Sequence, residues 1–332
     1  MSDPLLSVEG LRTHIPAEGG IVRAVDGVSF EIERGETVAL VGESGSGKTV
    51  TCETITRLVP ETATVTGEVR FDGETLTDLE ENALRRIRGN RIAHVFQNPR
   101  SALDPVYTVG DQIAEAITLH RDVGEREARD RAVALLGRVG IPNPGERVDD
   151  HPHEFSGGQC QRIAIAIAIA CEPALLLADE PTTSVDVTVQ ARLLALLSEL
   201  TGDGMSMLLV THDLRVVATL ADRVVVMFEG QTVERGPTEA VFGRPAHPYT
   251  QALVESAAGV GEGTDREEVP TGGCRFRNEC PHAIDACAGE RPAFEPVGSP
   301  GHTAACVHYA PERDPSVVLA GSDPAWTVVR ER

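Results

Sequence analysis

Lysine is almost absent from this sequence. Among 332 residues there is a single lysine, Lys48, while arginines supply the rest of the 30 basic residues and 51 residues are acidic. The formal net charge is −21, and so acidic a chain is a poor candidate for binding nucleic acid, which normally requires a basic face. The same imbalance predicts a protein adapted to molar salt, where repulsion among carboxylates is screened. The alternative is a GC-rich genome that favours arginine over lysine.

Long apolar runs are lacking as well. The longest extends from Ile163 to Cys171, nine residues, whereas a membrane-spanning helix needs roughly 20. The opening stretch MSDPLLSVEG has no basic region followed by an apolar one, so we expect no secretory signal peptide. These absences predict a soluble cytoplasmic protein that reaches a membrane only through partners. The length of 332 residues predicts one large domain with an appendage.

The single lysine lies in residues 42–49, GESGSGKT, which fit the phosphate-binding pattern G-x-x-x-x-G-K-[ST]. An apolar strand is predicted at 37–41 before this loop and a helix from Thr49 after it, as the pattern requires. We expect the backbone N–H groups of the loop to surround phosphate, with Lys48 reaching the β- and γ-phosphates and the Thr49 hydroxyl binding Mg²⁺. The candidate nucleotide-binding residues are Gly42, Glu43, Ser44, Gly45, Ser46, Gly47, Lys48 and Thr49.

Three further apolar strands are predicted, each followed by a polar side chain. The strands lie at 91–96, 174–178 and 207–211, and the side chains are Gln97, the pair Asp179 and Glu180, and His212. Open parallel α/β sheets bind ligands at the carboxyl ends of their strands, so we expect these groups at the same edge as the phosphate-binding loop. Asp179 is the candidate Mg²⁺ ligand, and Glu180 is the candidate base that polarises an attacking water.

Other segments predict two more parts of the fold. Half-buried strand patterns indicate an antiparallel β subdomain and lie at 5–8, 28–32 and 65–72. Helical patterns at 109–119 and 125–139, separated by Pro and Gly, indicate a helical insertion over about 98–160. The predicted fold class is therefore α/β: a P-loop NTPase core with an antiparallel β subdomain and an inserted helical subdomain.

A second glycine motif, Phe155-Ser156-Gly157-Gly158-Gln159, precedes an alternation of Ile and Ala over 163–170. Because both residues are apolar, the alternation does not indicate a strand, and the SGG start predicts a helix whose N-terminus is another anion site. With this motif the chain resembles the ATP-binding subunit of an ABC transporter, whose signature is Ser-Gly-Gly-Gln. Six motifs match that family in order over roughly residues 5–240.

The resemblance implies a role for each motif. Ser156, Gly157, Gly158 and Gln159 would cap the γ-phosphate of ATP bound to a second ATPase subunit. Gln97 would be the glutamine that senses Mg²⁺ and water and contacts the membrane subunit. In Ser184-Val185-Asp186, Asp186 would lie at the dimer interface, and His212 would contact the γ-phosphate. The family usually stacks adenine on an aromatic residue; by spacing that place is Ile15 here, with His14 beside it as a substitute.

Longer stretches are similar to dipeptide and oligopeptide importer ATPases: FQNPRSALDP at 96–105, DEPTT at 179–183, DVTVQ at 186–190 and HPYTQAL at 247–253. This resemblance implies a peripheral protein on the cytoplasmic face of the membrane. Its partners would be a second, paralogous ATPase, two permease subunits and an extracytoplasmic substrate-binding protein. Nickel or oligosaccharide importers are alternatives. A soluble ABC ATPase acting on nucleic acid or ribosomes is disfavoured, because the chain has one P-loop, no heptad run and an acidic composition.

The C-terminal part contains a cysteine cluster. We predict a nucleotide-binding domain over 1–255 and, over 256–332, an acidic linker followed by a small Cys-rich extension. Its four thiols suggest a metal site in a cytosolic protein. Their spacing, C-x5-C-x6-C-x18-C, lacks the short C-x2–4-C pairs common in structural zinc sites. They are Cys274, Cys280, Cys287 and Cys306. The tail resembles that of peptide-importer ATPases, some of which carry a 4Fe–4S cluster. Zinc, no metal, or a redox-sensing regulator are the alternatives.

Overall fold

The computed structural model describes residues 3–183, 187–259 and 269–319, together with Trp326 and Val329. The chain divides into two compact units. The first unit consists of Met1–Ile32, Thr37–Thr77 and Thr211–Arg332, and the second of Glu33–Glu36 and Asp78–Val210. Among the described residues, no helix combines the length and the hydrophobicity that crossing a bilayer requires.

The strands, in chain order, are β1 (Leu6–Ala17), β2 (Gly20–Ile32), β3 (Thr37–Val41), β4 (Thr64–Phe71), β5 (Glu74–Thr75), β6 (Ile92–Val95), β7 (Leu175–Asp179), β8 (Ser206–Thr211), β9 (Arg223–Phe228), β10 (Gln231–Pro237), β11 (Glu295–Pro296) and β12 (Thr303–Ala304). The helices are α1 (Lys48–Ile55), α2 (Glu81–Ile87), α3 (Pro99–Ala102), α4 (Val109–His120), α5 (Glu125–Arg138), α6 (Pro144–Arg147), α7 (Gly157–Ala168), α8 (Val187–Gly202), α9 (Leu214–Leu220), α10 (Thr238–Gly243), α11 (Pro248–Ala258) and α12 (Ser316–Leu319).

The first unit contains the predicted antiparallel β subdomain, with strand order β2-β1-β4-β5. Strands β1 and β2 are longer than the patterns at 5–8 and 28–32 indicated, because they pair as far as Ala17↔Gly20. Pro16 is tolerated in β1 because the pairing of β1 with β4 ends at His14↔Thr64. The missing N–H of this proline therefore interrupts no ladder on that side.

The first unit also holds the strand that leads into the phosphate-binding loop. Strand β3, TVALV, is buried at every position, and such a continuous apolar run is typical of a strand covered on both faces. It pairs in parallel with β9, from Val38↔Arg223 to Val41↔Val226, and β9 forms a hairpin with β10. The strand order in this part of the sheet is β11-β12-β10-β9-β3.

The second unit contains the predicted helical insertion and a parallel sheet of order β8-β7-β6. Helices α4 and α5 match the segments predicted at 109–119 and 125–139 to within one residue at each end. The Ile/Ala alternation forms helix α7, as predicted from its SGG start. The apolar face of α4 is buried through Val109, Ile113 and Ile117, whose i, i+4 spacing places them on one side of the helix.

The C-terminal extension adds β12 to the edge of β10, with Glu234 opposite Ala304. Part of the predicted linker, residues 260–268, lies outside the described residues. The division of the chain into 1–255 and 256–332 stays a prediction; its boundary falls inside α11, which continues to Ala258.

Candidate active site

The phosphate-binding loop joins the end of β3 at Val41 to the start of α1 at Lys48. Gly47 precedes the helix with φ +97°, and a Cβ there would lie 2.1 Å from the carbonyl oxygen of Ala24. Only glycine fits that conformation and that contact. The loop is closed by the Ser46 N–H, which donates to the Glu43 carbonyl at 3.2 Å. The result is a tight turn at the N-terminus of a helix, a geometry that binds anions.

Lys48 supplies positive charge to this loop. Its side chain is only 6% exposed, and Nζ donates to the carbonyl oxygens of Gly42 at 2.8 Å and Glu43 at 2.7 Å. The ammonium is therefore held against the loop backbone. Thr49, the next residue, is exposed in the first turn of α1. A cation held against a tight turn at a helix N-terminus, with a hydroxyl beside it, fits the polyphosphate of a nucleotide and its Mg²⁺.

Tyr249 also contacts the loop. Its hydroxyl oxygen accepts a hydrogen bond from the Glu43 N–H at 2.9 Å, across 206 positions of sequence. The motif HPYTQAL at 247–253 predicted only the start of a helix, and α11 does start at Pro248. Neither spacing nor residue type indicated a contact with the phosphate-binding loop.

An open cavity of about 750 Å³ lies beside the loop within the first unit. Its lining includes His14, Gly45 and Arg275. Ile15, the position where the family usually has an aromatic residue, pairs with Val22 in the β1–β2 ladder and is not part of that lining. Of the two neighbouring candidates for holding adenine, the cavity therefore includes His14.

His212, the last predicted site residue of the first unit, directly follows β8 and is exposed. The next residue, Asp213, donates its N–H to the Thr211 hydroxyl at 3.0 Å and accepts the Arg215 N–H at 3.0 Å. Asp213 thus caps α9 and fixes the turn that contains His212.

In the second unit, Gln97 and the acidic pair follow neighbouring parallel strands. Gln97 comes two residues after β6 and is exposed, and Asp179 is the last residue of β7. The carboxyl ends of parallel strands lie at one edge of a sheet, so these side chains share that edge. The broader prediction, that all four strand ends meet at one edge, involves both units and stays a prediction.

Glu180 has an unusual backbone conformation. Its φ is +49°, which is uncommon for a residue with a side chain, and its N–H donates to the Val210 carbonyl at 2.8 Å. The carboxylate is 7% exposed and accepts a hydrogen bond from the Thr183 hydroxyl at 2.7 Å. Such conformations are held by their surroundings and concentrate at functional sites. The fold thus fixes one buried carboxylate immediately after another, Asp179, which is 6% exposed.

The Ser-Gly-Gly-Gln motif forms a capping box at the start of α7. The Ser156 hydroxyl accepts the Gln159 N–H at 3.3 Å, and the Gln159 side chain accepts the Ser156 N–H at 2.9 Å. A Cβ on Gly158 would lie 2.5 Å from Val189 of α8, so this glycine allows two helices to approach closely. A Cβ on Gly157 would meet no described atom within 4 Å, so space is left in front of the helix.

Asp186, with Ser184 and Val185, lies outside the described residues. The three other cysteines of the chain, Cys52, Cys160 and Cys171, are buried.

The four cysteines of the extension affect one another electrostatically. Burial, together with the other three thiols, raises the pKa of Cys306 to about 12, and burial raises the pKa of Cys280 to about 11. Cys306 therefore lies within electrostatic range of the other three thiols, and the predicted metal site stays a prediction. As placed, however, no three His, Cys, Asp or Glu side chains of the described residues are arranged to hold a metal ion.

These elements define an ATP-binding cassette. One unit has a strand, a phosphate-binding loop and a helix in succession. The other has a helix capped by the Ser-Gly-Gly-Gln motif and an acidic pair at the end of a strand. Residues 25–183 match the family model for the ABC transporter, and residues 233–287 match that for the oligopeptide/dipeptide transporter, C-terminal region.

Proteins of known sequence and structure agree with that class. The chain is 45% identical over 319 residues to a probable peptide ABC transporter ATP-binding protein, y4tR, of Sinorhizobium fredii, covering 92% of this chain and 95% of that protein. It is 44% identical over 330 residues to a putative peptide import ATP-binding protein of Brucella abortus, covering 92% and 97%. The ATP-binding cassette MJ0796, solved as a dimer in a post-hydrolysis state bound to ADP and Pi, has a TM-score of 0.64 at 29% identity, covering 70% of this chain and 98% of that one.

The chain belongs to the ATP-binding proteins of peptide ABC transporters and is an ATP-hydrolysing enzyme. The resemblance found in the sequence motifs and the predicted P-loop fold are both confirmed.

Proposed function

We propose that ATP hydrolysis by this chain drives the uptake of dipeptides or oligopeptides through membrane permeases. The observation that carries the peptide assignment is the match of residues 233–287 to the C-terminal region of oligopeptide/dipeptide transporters. The residues assigned to ATP carry no information about cargo, so importers of nickel or oligosaccharides are the alternative. Uptake of labelled peptides by cells with and without the gene tests the assignment; unchanged peptide uptake with lost nickel uptake would overturn it.

The residues present fit ATP and Mg²⁺. The loop over 42–49 would hold the phosphates, with Lys48 on the β- and γ-phosphates, and His14 would contact adenine in place of an aromatic residue. Mg²⁺ prefers oxygen ligands, which Thr49, Gln97 and Asp179 supply. When bound, the ion neutralises charge on the transferred phosphoryl group.

For hydrolysis, we assign Glu180 as the base that orients water and His212 as the contact to the γ-phosphate. Glu180→Gln should retain ATP binding but slow hydrolysis by roughly 10²–10⁴, whereas Lys48→Ala should lose ATP binding. Binding is measured by calorimetry and hydrolysis by phosphate release from the assembled transporter. Normal turnover by Glu180→Gln would show that another group is the base.

A second ATPase subunit, which we propose to be a paralogue, would complete the site. Its phosphate would be capped by Ser156, Gly157, Gly158 and Gln159, with Asp186 at the interface. The exposed Ser156 and the open space in front of Gly157 support this assignment. Ser156→Arg should therefore abolish hydrolysis while leaving ATP binding by the variant chain unchanged. Hydrolysis at the wild-type rate would contradict the shared site.

The membrane-facing surface would be close to Gln97. Phe96, Val106 and Tyr107 of the second unit are 43%, 73% and 58% exposed. Exposed apolar side chains that form one patch mark protein interfaces. We propose that these side chains contact the permease at the cytoplasmic face of the membrane. The transporter would contain two permease subunits, which receive cargo from an extracytoplasmic substrate-binding protein. Affinity purification from native membranes should recover permeases; recovery of ribosomes or nucleic acid instead would favour a soluble ABC ATPase.

The Cys-rich extension is the proposed site of a 4Fe–4S cluster. The supporting observations are the four cysteines of one short extension and the electrostatic effect of the other three on Cys306, but their placement in the structure does not form a metal-binding group among the described residues. Anaerobic purification with iron analysis and an absorption spectrum tests this proposal. Bound zinc or a colourless, metal-free protein would overturn it, and a redox response that cysteine substitutions abolish would favour the regulator.

Adaptation to high salt is a separate proposal, supported by the net charge of −21. Folding and ATPase activity should increase from low salt to molar KCl. Full stability without salt would favour genome composition as the cause of the missing lysines.

A further inference from the structure

The peptide group that joins Gly42 to Glu43 in the phosphate-binding loop is held from two sides. Its N–H, that of Glu43, donates to the Tyr249 hydroxyl oxygen at 2.9 Å, and its carbonyl, that of Gly42, accepts from Lys48 Nζ at 2.8 Å. Tyr249 is only 1% exposed, so its phenol has little freedom to move away. If Lys48 turns toward a bound phosphate, the contact from Tyr249 still holds the Gly42–Glu43 peptide in place.

The ring of Tyr249 belongs to an aromatic cluster that includes the Cys-rich extension. We define the aromatic cluster as Phe228, Tyr249 and Phe276. The ring centroids of Tyr249 lie 4.6 Å from Phe228 and 5.5 Å from Phe276, and those of Phe228 and Phe276 are 5.3 Å apart. Phe276 is 5% exposed and lies two positions after Cys274. The extension therefore packs directly against the tyrosine that holds the loop.

Arg275 provides a second connection between the extension and the loop. Its guanidinium donates to the Glu229 carbonyl and forms an ion pair with Asp26. Gly230, the residue after Glu229, donates its N–H to the Ser46 carbonyl of the loop at 2.9 Å. Two adjacent residues of the extension thus reach the phosphate-binding loop through different neighbours: Phe276 through Tyr249, and Arg275 through Glu229 and Gly230.

We propose that Tyr249 is a positioning residue for ATP, and that the Cys-rich extension sets the affinity of the phosphate-binding loop through Phe276 and Arg275. The proposal rests on the assignment of that loop as the ATP site. Its physical basis is preorganisation: a loop held in its binding conformation loses less freedom when ATP binds, and apparent affinity falls with the fraction of molecules in that conformation. The extension would then be part of the nucleotide site rather than a separate appendage.

The test is the affinity of the full-length chain for MgATP, measured by calorimetry. Tyr249→Phe keeps the ring and removes one hydrogen bond, so we expect affinity to fall about fivefold. Tyr309→Phe is the matched control, because the Tyr309 hydroxyl donates to the Ala246 carbonyl at 3.0 Å, at a different place in the first unit. Both variants should lower the melting temperature of the ATP-free protein by similar amounts, and only Tyr249→Phe should weaken ATP binding.

Phe276→Leu tests the contribution of the extension without changing any residue near the phosphate. It should weaken MgATP binding by roughly three- to tenfold, and combining it with Tyr249→Phe should give less than the product of the two effects, since both act through one contact. Equal affinities of wild type, Tyr249→Phe and Phe276→Leu would overturn the proposal. Lys48→Ala separates failure of the ATP-site assignment from failure of the positioning role. If Lys48→Ala binds ATP normally, the site assignment itself fails. If Lys48→Ala loses binding while Tyr249→Phe binds normally, only the positioning role is rejected.

Discussion

Replacing Glu234 with glutamine removes one charge from a fully buried network that joins β10 to the C-terminal extension. The Glu234 carboxylate is 0% exposed. It accepts the N–H of Ala246 at 2.9 Å, the N–H of His247 at 2.8 Å and the Nε2–H of His302 at 2.7 Å. One carboxylate with two acceptor atoms therefore receives three donors, of which His302 belongs to the extension.

Glutamine has the same shape but only one acceptor atom, so its NH₂ group must face one of the backbone N–H donors. That N–H loses its partner, which costs about 1–3 kcal/mol when buried, and the remaining bonds lose the contribution of the charge. The expected loss is about 3 kcal/mol of unfolding free energy, or roughly 6–10 °C in melting temperature.

Thermal unfolding of the full-length chain, followed by circular dichroism, measures this change. Glu290→Gln is the control, since Glu290 is exposed in the same extension and its replacement should leave the melting temperature within about 1 °C of wild type. If Glu234→Gln also melted within that range, the three hydrogen bonds would not contribute to stability as described.

Three further predictions follow from buried groups and from the loop. Burial lowers the pKa of His247 to about 3, and its Nδ1 accepts the Tyr249 N–H at 3.1 Å. The unfolded imidazole binds a proton below about pH 6.5 while the folded one stays neutral, so stability should fall as pH drops from about 6.5 toward 3. The urea midpoint of unfolding should depend less on pH in His247→Asn than in wild type. Equal slopes of midpoint against pH would contradict this. In metal-free protein, the raised pKa values of Cys280 and Cys306 should make their alkylation by iodoacetamide at pH 8 roughly a hundredfold slower than that of free cysteine; rapid labelling in mass spectra would show that the thiols are exposed or ionised. Gly47→Ala should abolish MgATP binding because its Cβ would meet the Ala24 carbonyl at 2.1 Å. Gly73 has φ +79° and no described atom within 4 Å of a Cβ, so Gly73→Ala should lower stability only. Calorimetry of MgATP binding by both variants distinguishes a clash from backbone strain.

Local patterns were sufficient to predict the phosphate-binding loop and the signature helix. The strand, the turn and the helix around Lys48 are contiguous in the sequence, and each has its own residue preference. Helix α7 was predictable for the same reason, because its capping box, Ser156 to Gln159, needs only residues three positions apart. The lengths of β1 and β2 were not predictable from local patterns, because cross-strand pairing extends both strands beyond their alternating segments.

The amino-acid sequence by itself determined the family, the order of its motifs and the residues offered to ATP, since those features depend on short stretches with strict chemical requirements. Only the tertiary structure showed that Tyr249 contacts Glu43 and that the Glu234 carboxylate receives His302, contacts that span 206 and 68 positions. Such contacts carry no local signal, because a buried tyrosine or glutamate has the same neighbours in sequence whichever distant partner it meets. Their partners are decided by how sheet, hairpin and extension pack together.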